Sequence, residues 1–314
     1  MPLLNVGSEQ RGKSGTRPPG GGVADAAGFA SRAVDASRRR TEILPVCANP
    51  YCRSGWFRLW RAREGPIFEG GWCCSTACTA EQIKAALVRE LNGSGRVQNA
   101  HRHRIPLGLA MLEQGWISPD ALRSALAAQR AAGAGRLGEW LVRLKSASVE
   151  QVTRTLGLQW SCPVLKMDAH APEGLTVVLP RLFVDAFGAL PLRMAANRIV
   201  YLGFEDRPDP ALALAVERIT GLRVESGVVE EPLFRPAYRS MLEARYPAAE
   251  LVEAATEAAL VAALTGVLER ARPVESRLTR VHECFWLRMW RRKQSGPLPA
   301  IDGVHDVIGS TAGH

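Results

Sequence analysis

Two pairs of closely spaced cysteines are the residues of this sequence best suited to chemistry. Cys47 and Cys52 are separated by four residues, and Cys74 and Cys78 by three. Short paired spacings let four thiolates converge on one tetrahedral zinc ion and leave no coordination position open for a substrate. The pattern therefore predicts a structural metal site rather than a catalytic one. Cys73 could take the place of Cys74, and reduced structural cysteines or a redox pair are the alternatives.

The residues around these cysteines predict the elements that would hold a metal ion. The first pair lies in a turn rich in Asn and Pro, and the second opens a helix for which Thr79 and Gln82 form a capping box. The aromatic stretch between the pairs, divided by Gly65 and Pro66, is typical of a β-hairpin. Over residues 46–91 this order resembles a treble-clef zinc finger. The resemblance implies a fold that depends on its metal and a role in binding nucleic acid or protein.

A repeat of thirty residues forms the second candidate site. Residues 106–129 align without gaps with residues 136–159, and both copies share a Leu-Gly pair near the start and a Gln at the end. Each copy predicts a short helix and then a second helix capped by Ser118 or Ser148. Close helix packing explains the Leu-Gly pairs, but it does not explain Arg136 or the two glutamines.

This repeat resembles a known motif, R-L-G-x-x-L-[LV]-x-x-G-[LI]-[LI]-x-x-x-x-L-x-x-x-L-x-x-Q. The motif occurs twice in the N-terminal (MshEN-type) domain of type II secretion and type IV pilus assembly ATPases, also called the GspE N-terminal domain. The likeness covers about residues 104–246 and includes the small α/β part of that domain. It implies strands at residues 189–194, 199–204 and 222–226, and helices at residues 180–186, 209–220 and 232–245. Too few residues follow for the ATPase domain, so we expect none.

The resemblance also implies a ligand, because several members of this family bind cyclic di-GMP. Arginine can pair with a phosphate through two donors, glycine lets the backbone approach it, and glutamine can hydrogen-bond a polar edge. The residues implicated are Leu107, Gly108, Gln129, Arg136, Leu137, Gly138 and Gln159. Two positions depart from the motif. Pro106 replaces the first Arg, unless Arg104 reaches in, and Lys145 replaces the second central Gly, which Gly115 keeps in the first copy. The alternative is a retained fold that serves protein contacts.

The N-terminal part of the chain predicts a disordered tail. Residues 1–42 are rich in Gly, Ser, Ala and Arg and show no sustained apolar periodicity. The stretch GSEQRGKS at residues 7–14 fits the pattern of a phosphate-binding loop. Such a loop needs a helix directly after it, and Pro18 and Pro19 preclude one. We therefore predict no nucleotide hydrolysis from this motif.

The C-terminal part predicts two helices over residues 248–293, the second at 274–293. Trp286 and Trp290 stand four residues apart on this second helix, and basic residues crowd its end. The pattern favours either a solvated helix end or a face that binds a partner or a membrane surface. Residues 294–314 are predicted to form a loose tail.

Composition is that of an ordinary soluble protein. Of the 314 residues, 23% are charged and 46% hydrophobic, and the formal net charge is +9. This charge permits binding to nucleic acid, acidic lipid or a phosphorylated ligand. No signal peptide or membrane-spanning segment is evident, so we expect a cytoplasmic location.

Together these patterns predict an α+β multidomain protein without enzymatic activity. Its parts are a zinc module at residues 43–92, the helical repeat at 104–170, a small α/β part at 171–247, and the C-terminal helices and tail. The predicted function is a regulatory or adaptor protein that binds cyclic di-GMP and a protein partner of a bacterial secretion or pilus system. The alternative is a zinc-dependent nucleic-acid-binding regulator.

Overall fold

A computed structural model describes residues 46–54, 65–93, 104–167, 172–196, 198–294 and 296–311. The predicted N-terminal tail, with its phosphate-loop pattern at residues 7–14, lies outside these ranges. Within them, no helix has the length and apolar character needed to cross a membrane.

The helices and strands form four groups along the chain. The cysteine-rich part contains β1 (Ile67–Phe68), β2 (Gly71–Trp72) and α1 (Thr76–Gly93). The repeat contains α2 (Leu107–Glu113), α3 (Pro119–Ala132), α4 (Leu137–Arg143) and α5 (Val149–Trp160). The α/β part contains α6 (Arg181–Phe187), β3 (Ala189–Ala195), β4 (Ile199–Phe204), α7 (Pro210–Thr220), β5 (Arg223–Val228) and α8 (Glu231–Glu243). The C-terminal part contains β6 (Ala248–Ala254), α9 (Glu257–Ala271), β7 (Glu275–Val281), β8 (Cys284–Trp290) and β9 (Val304–Thr311).

The repeat folds into two equivalent helix pairs, as the sequence predicts. The Ser118 hydroxyl accepts a hydrogen bond from the Ala121 N–H at the start of α3, and Ser148 and Gln151 form a capping box at the start of α5. These caps satisfy N–H groups that have no partner within the first turn of a helix. The predicted caps are therefore confirmed in both copies.

The turn between the two helices of each pair needs a left-handed backbone. Gly115 has φ 68°, and Lys145, thirty residues later, has φ 55°. A side chain in this conformation costs about 1–2 kcal/mol, which glycine avoids. Lys145 thus preserves the fold of the motif at an energetic cost that is absent from the first copy.

We expect Lys145→Gly to raise the free energy of unfolding by about 1 kcal/mol. Glycine relieves the strained conformation and loses only part of this gain to the greater entropy of the unfolded chain. Gly115→Ala is the matched control, because its Cβ would meet no atom within 4 Å and the expected loss would be conformational alone. Urea denaturation of both variants measures the difference. An unchanged or lower stability of Lys145→Gly would contradict the strain at this turn.

The glycines of the two Leu-Gly pairs let the helices pack closely. A Cβ on Gly108 would lie 2.6 Å from Cδ1 of Leu122, and a Cβ on Gly138 would lie 2.7 Å from Cγ1 of Val152. Leu122 and Val152 are equivalent positions, so the same contact occurs once in each copy. Close packing therefore accounts for both glycines without a ligand.

The α/β part forms a three-stranded sheet at the predicted positions. The strand order is β3-β4-β5, with β3 antiparallel and β5 parallel to β4. The helix α7 ends at Thr220, as predicted, and Gly221, with φ 73°, is its C-cap residue. The segment after α5 joins this sheet at its edge, where the Leu165 N–H donates to the Val228 carbonyl at 2.8 Å. Main-chain hydrogen bonds therefore connect the repeat to the α/β part.

The prediction for the C-terminal part is wrong outside the helix α9. Residues 248–254 form the strand β6 before that helix. The predicted helix at 274–293 is the hairpin of β7 and β8, and the predicted tail at 294–314 contains β9. The four strands form one sheet in the order β6-β9-β8-β7. Trp286 and Trp290, four residues apart, share a face in a strand as they do in a helix, so their spacing could not distinguish the two.

Both faces of the strand β8 are buried, which makes the prediction of an exposed tryptophan face wrong. Trp286 and Trp290 are 0% and 5% exposed and belong to the apolar core of the α/β part. Leu287 and Met289 point to the opposite face and belong to a second core, which includes residues of α9 and α1. Because side chains alternate along a strand, one sheet contributes to two cores.

One residue of the predicted basic helix end is buried in the same sheet. Arg288 and Asp306 are each 1% exposed and lie opposite each other on β8 and β9. Nε and Nη2 of Arg288 donate to the two carboxylate oxygens of Asp306, both at 2.8 Å. Nη1 of Arg288 donates to the Val177 carbonyl at 2.6 Å. Arg288 therefore links the C-terminal sheet to the segment that precedes α6, while its ion pair with Asp306 joins β8 to β9.

The cysteine-rich part packs directly on the C-terminal sheet. The Glu69 N–H donates to the Ser276 carbonyl, and the Ser276 hydroxyl donates to the Ile67 carbonyl, each at 2.8 Å, which places β1 beside β7. Ile83 and Leu87 of α1 are fully buried in the core that contains residues of α9 and the sheet. The packing is therefore continuous between two parts that the sequence separates by more than a hundred residues.

Candidate functional site

A groove of about 520 Å³ lies between the helical repeat and the α/β part. Its walls come from both copies of the repeat, from the segment after β4 and from the start of α8. The predicted ligand residues in its lining are Leu107, Gln129, Arg136, Leu137, Gly138 and Gln159. Gly108, the seventh, is buried in the helix packing against Leu122. The fold thus gathers six of the seven around one groove.

The glutamine at the end of each copy of the repeat forms a hydrogen bond with the backbone directly before the other copy's first helix. Nε2 of Gln129 donates to the Gly135 carbonyl, and Nε2 of Gln159 donates to the Ile105 carbonyl, each at 2.8 Å. Gly135 and Ile105 are themselves thirty residues apart, and each precedes the N-cap residue of a Leu-Gly helix. Each glutamine therefore fixes the backbone directly before the first helix of the other copy. This role does not require a ligand.

Arg136 lies at the mouth of the groove, where carboxylates surround it. It is the N-cap residue of α4, and its guanidinium pairs with Glu205. Nε lies 3.3 Å from Oε1 of Glu139, and Nη1 lies 3.6 Å from Oδ2 of Asp206. The Arg136 side chain is 44% exposed, so solvent screens these pairs and each contributes little stability. The implicated phosphate-binding residue is thus held by acids of its own chain.

A second arginine reaches the same acids from α8. Nη2 of Arg235 lies 3.1 Å from Oε1 of Glu139 and 3.1 Å from Oε1 of Glu205. Nη1 of Arg235 lies 2.8 Å from Oε1 of Glu231. Hydrogen bonding to Glu205 raises the pKa of Arg235 above its ordinary value. We call these residues the groove-mouth cluster: Arg136, Glu139, Glu205, Asp206, Glu231 and Arg235.

The charge state of Glu139 reflects this cluster. Burial favours the neutral acid, but the backbone N–H and the guanidinium of Arg136 outweigh it and lower the pKa of Glu139. The motif did not indicate Glu205, Asp206 or Arg235, since none of them lies in the repeat. A pair of acids directly after the strand β4 is the one sequence signal that could have suggested them.

The first copy of the repeat does not supply an arginine to the groove. Pro106 is the N-cap residue of α2, at the position equivalent to Arg136. The guanidinium carbon of Arg104 lies 2.9 Å from the centre of the Trp160 ring, and that of Arg207 lies 5.2 Å from it. Stacking on an indole face is favourable for a guanidinium. Arg104 therefore stacks on Trp160 and does not take the place of the missing residue.

The four predicted metal ligands also come together. The sulfur atoms of Cys47, Cys52, Cys74 and Cys78 all lie within 4.8 Å of one another. The Cys52–Cys74 distance is 3.4 Å and the Cys74–Cys78 distance is 3.8 Å. Four sulfurs at about 2.3 Å from a tetrahedral zinc ion are about 3.8 Å apart, so the donor set fits this metal. The geometry favours Cys74 over Cys73 as the fourth member.

Local structure positions these cysteines at a turn and at a helix start. The Cys52 N–H donates to the Asn49 carbonyl at 3.1 Å and closes the first turn. The Cys78 N–H donates to the Ser75 hydroxyl at 3.3 Å in the first turn of α1. The predicted capping box at Thr79 is wrong, because the helix already begins three residues earlier.

The thiols of this region differ in how readily they ionise. Hydrogen bonding with Ser54 lowers the pKa of Cys52 to about 6. Burial raises the pKa of Cys47 to about 12 and that of Cys73 to about 11. Burial opposes ionisation of Cys74, but hydrogen bonding with Ser54 outweighs burial and lowers the pKa of Cys74 as well. Cys52 and Cys74 are therefore the members of the cluster best prepared to bind a cation as thiolates.

Comparison with known proteins finds similarity over part of the chain. No protein-family model matches it, and no curated protein matches it significantly. A structure of MshE with cdg is 26% identical, covers 44% of this chain and 99% of its own, and has a TM-score of 0.33. The N-terminal domain of XpsE in one crystal form is 20% identical, covers 42% of this chain and 91% of its own, and has a TM-score of 0.31. In a second crystal form the same domain is 23% identical, with coverages of 44% and 93% and a TM-score of 0.22.

Proposed function

We propose that this chain is a non-catalytic regulatory or adaptor protein that binds cyclic di-GMP in the groove beside the helical repeat. The observation that supports this most is that six residues implicated by the motif, drawn from both copies, line one groove. Close packing accounts for the glycines and backbone hydrogen bonds account for the glutamines, but neither accounts for Arg136. An arginine at the mouth of a groove whose lining combines apolar with polar side chains suits a ligand that combines phosphates with flat bases.

The four-cysteine cluster is proposed to hold a structural zinc ion. Cys47, Cys52, Cys74 and Cys78 offer four sulfur donors, and a closed set of this kind leaves no position for a substrate. The ion would join the first turn of the described chain to the start of α1. Since α1 packs in the same core as α9, the metal would stabilise the C-terminal part as well.

The partner of this module is proposed to be a protein of a bacterial secretion or pilus system, as the likeness of the repeat implies. Nucleic-acid binding is the second candidate, supported by the net charge of +9 and by the exposed run Arg291, Arg292 and Lys293 after β8. The dependence of binding on salt concentration distinguishes the two candidates. Binding to duplex DNA should weaken steeply with salt because counterions are released, and binding of a small ligand in the groove should weaken less.

Calorimetric titration with cyclic di-GMP tests the groove directly. We expect the wild type to bind and Arg136→Ala to bind about tenfold or more weakly, because losing hydrogen bonds to a charged group costs about 1.5–3 kcal/mol. Arg123→Ala is the matched control, since this residue of α3 is 71% exposed and pairs with Asp120 on the same helix. Absence of binding by a folded, zinc-loaded wild type would refute the cyclic di-GMP site.

A further inference from the structure

Two guanidinium groups converge on one carboxylate oxygen at the groove mouth. Oε1 of Glu205 pairs with Nη2 of Arg136 and lies 3.1 Å from Nη2 of Arg235. Oε1 of Glu139 is shared in the same way, at 3.3 Å from Nε of Arg136 and 3.1 Å from Nη2 of Arg235. The two arginines come from different elements: Arg136 lies at the start of α4 and lines the groove, and Arg235 lies within α8, beside the lining residues Glu231 and Pro232. A point between two guanidinium groups is a strong position for an anionic oxygen.

We propose that Arg136 and Arg235 form a clamp for one phosphate of the ligand, and that Glu205 occupies the phosphate position when no ligand is bound. This inference rests on the proposed cyclic di-GMP site. On binding, a phosphate oxygen replaces the Glu205 carboxylate and accepts hydrogen bonds from both guanidinium groups. Glu205 directly follows the last residue of β4, so its side chain can turn towards solvent without moving a strand.

The clamp gives Arg235 the role of the arginine that the first copy lacks. Pro106 has no donor to offer, and Arg104 stacks on Trp160. Arg235 is 49% exposed and already directs a guanidinium nitrogen at the same oxygen as Arg136. The second cation therefore comes from the α/β part rather than from the repeat, and a ligand would bridge the two parts.

The acids of the groove-mouth cluster give the clamp an electrostatic signature. Glu139, Glu205, Asp206 and Glu231 line the groove and oppose an anionic ligand. Glu205 competes with the ligand for the two arginines, so removal of its charge should raise the affinity for cyclic di-GMP. Removal of Arg235 should lower it. If the cluster were merely structural, both substitutions would change the affinity for the ligand in the same direction, because either one breaks the same ion pairs.

Calorimetric titration of variants with cyclic di-GMP tests the clamp. We expect Arg235→Ala to bind about tenfold or more weakly and Glu205→Gln to bind about tenfold more tightly than the wild type. Arg239→Ala is the matched control, because this residue is exposed about one turn further along α8. Circular dichroism and thermal melting check that each variant is folded. Arg235→Lys keeps the charge without the two-pronged geometry, and we expect it to bind with an affinity between those of the wild type and Arg235→Ala.

The outcomes separate the clamp from the site on which it rests. Failure of the wild type and of every variant to bind would overturn both. Binding by the wild type, with loss in Arg136→Ala but none in Arg235→Ala and no gain in Glu205→Gln, would leave the site standing and overturn the clamp. Weaker binding by Glu205→Gln would show that Glu205 contacts the ligand and does not compete with it.

Discussion

Asp306→Ala is expected to lower the free energy of unfolding by about 3–5 kcal/mol, because it leaves a charged guanidinium buried without a counterion. The Asp306 carboxylate accepts hydrogen bonds from Nε and Nη2 of Arg288 and from Nε1 of Trp286, each at 2.8 Å. The Val177 carbonyl would remain a partner of Arg288, but a neutral acceptor cannot balance its charge. Urea denaturation followed by tryptophan fluorescence measures the loss.

Two comparisons show whether this loss comes from the buried charge. Asp302→Ala removes an acid that is 63% exposed and lies 3.8 Å from Arg292, and we expect a change of about 0.5 kcal/mol or less. Arg288→Met in the Asp306→Ala background should recover part of the loss, because no charge then remains in the core. A loss below about 1 kcal/mol for Asp306→Ala would mean that water reaches Arg288 in solution.

Cys74→Ser is expected to abolish stoichiometric zinc binding and to destabilise the C-terminal sheet together with α1. A structural zinc site contributes about 10 kcal/mol of apparent binding free energy in small zinc-finger peptides, so the effect should be large. The loss of stability should extend from α1 to the C-terminal part because α1 and α9 share a core and because the Thr79 hydroxyl donates to Glu269 of α9 at 2.8 Å. Metal content by mass spectrometry and hydrogen exchange across α1 and β7 are the measurements. A strong chelator should produce the same pattern in the wild type.

Neighbouring cysteines provide the controls for the metal site. Cys73→Ser should retain one zinc ion per chain, because the geometry places Cys74 in the sulfur cluster. Cys162→Ser removes a thiol outside the cysteine-rich part and should change neither metal content nor exchange in α1. If Cys74→Ser kept one zinc per chain and melted like the wild type, the ligand set would be wrong. If Cys73→Ser lost the metal instead, the adjacent cysteine would be the ligand.

The features that sequence reasoning predicted well are those encoded within short stretches. The two helix pairs follow from an apolar spacing and from the caps Ser118 and Ser148, which act within three residues of their position. The convergence of the four cysteines follows from two tight spacings. The strands of the α/β part follow from apolar runs bounded by turns.

The C-terminal sheet could not be predicted in this way because its pairings are not local. The strand β9 lies between β6 and β8, and it pairs in register with residues more than fifty positions earlier in β6. Such contacts leave no periodic signal in a single strand. Burial on both faces also removes the alternation of polar and apolar residues that identifies a strand, so Trp286 and Trp290 fit a helix equally well.

The amino-acid order alone predicted a metal site from its cysteine pairs and, through the resemblance of its repeat, a site for an anionic ligand. Both stay predictions, although the folded chain brings the residues of each close together. The amino-acid order did not indicate what Arg136 contacts. That was settled by the folded chain, which brings Glu205 from the end of β4 and Arg235 from α8 to the same point. The physical reason is that electrostatic partners are determined by distance in space. The same reason explains why Arg288, assigned from its neighbours to a solvated helix end, forms a buried ion pair with Asp306.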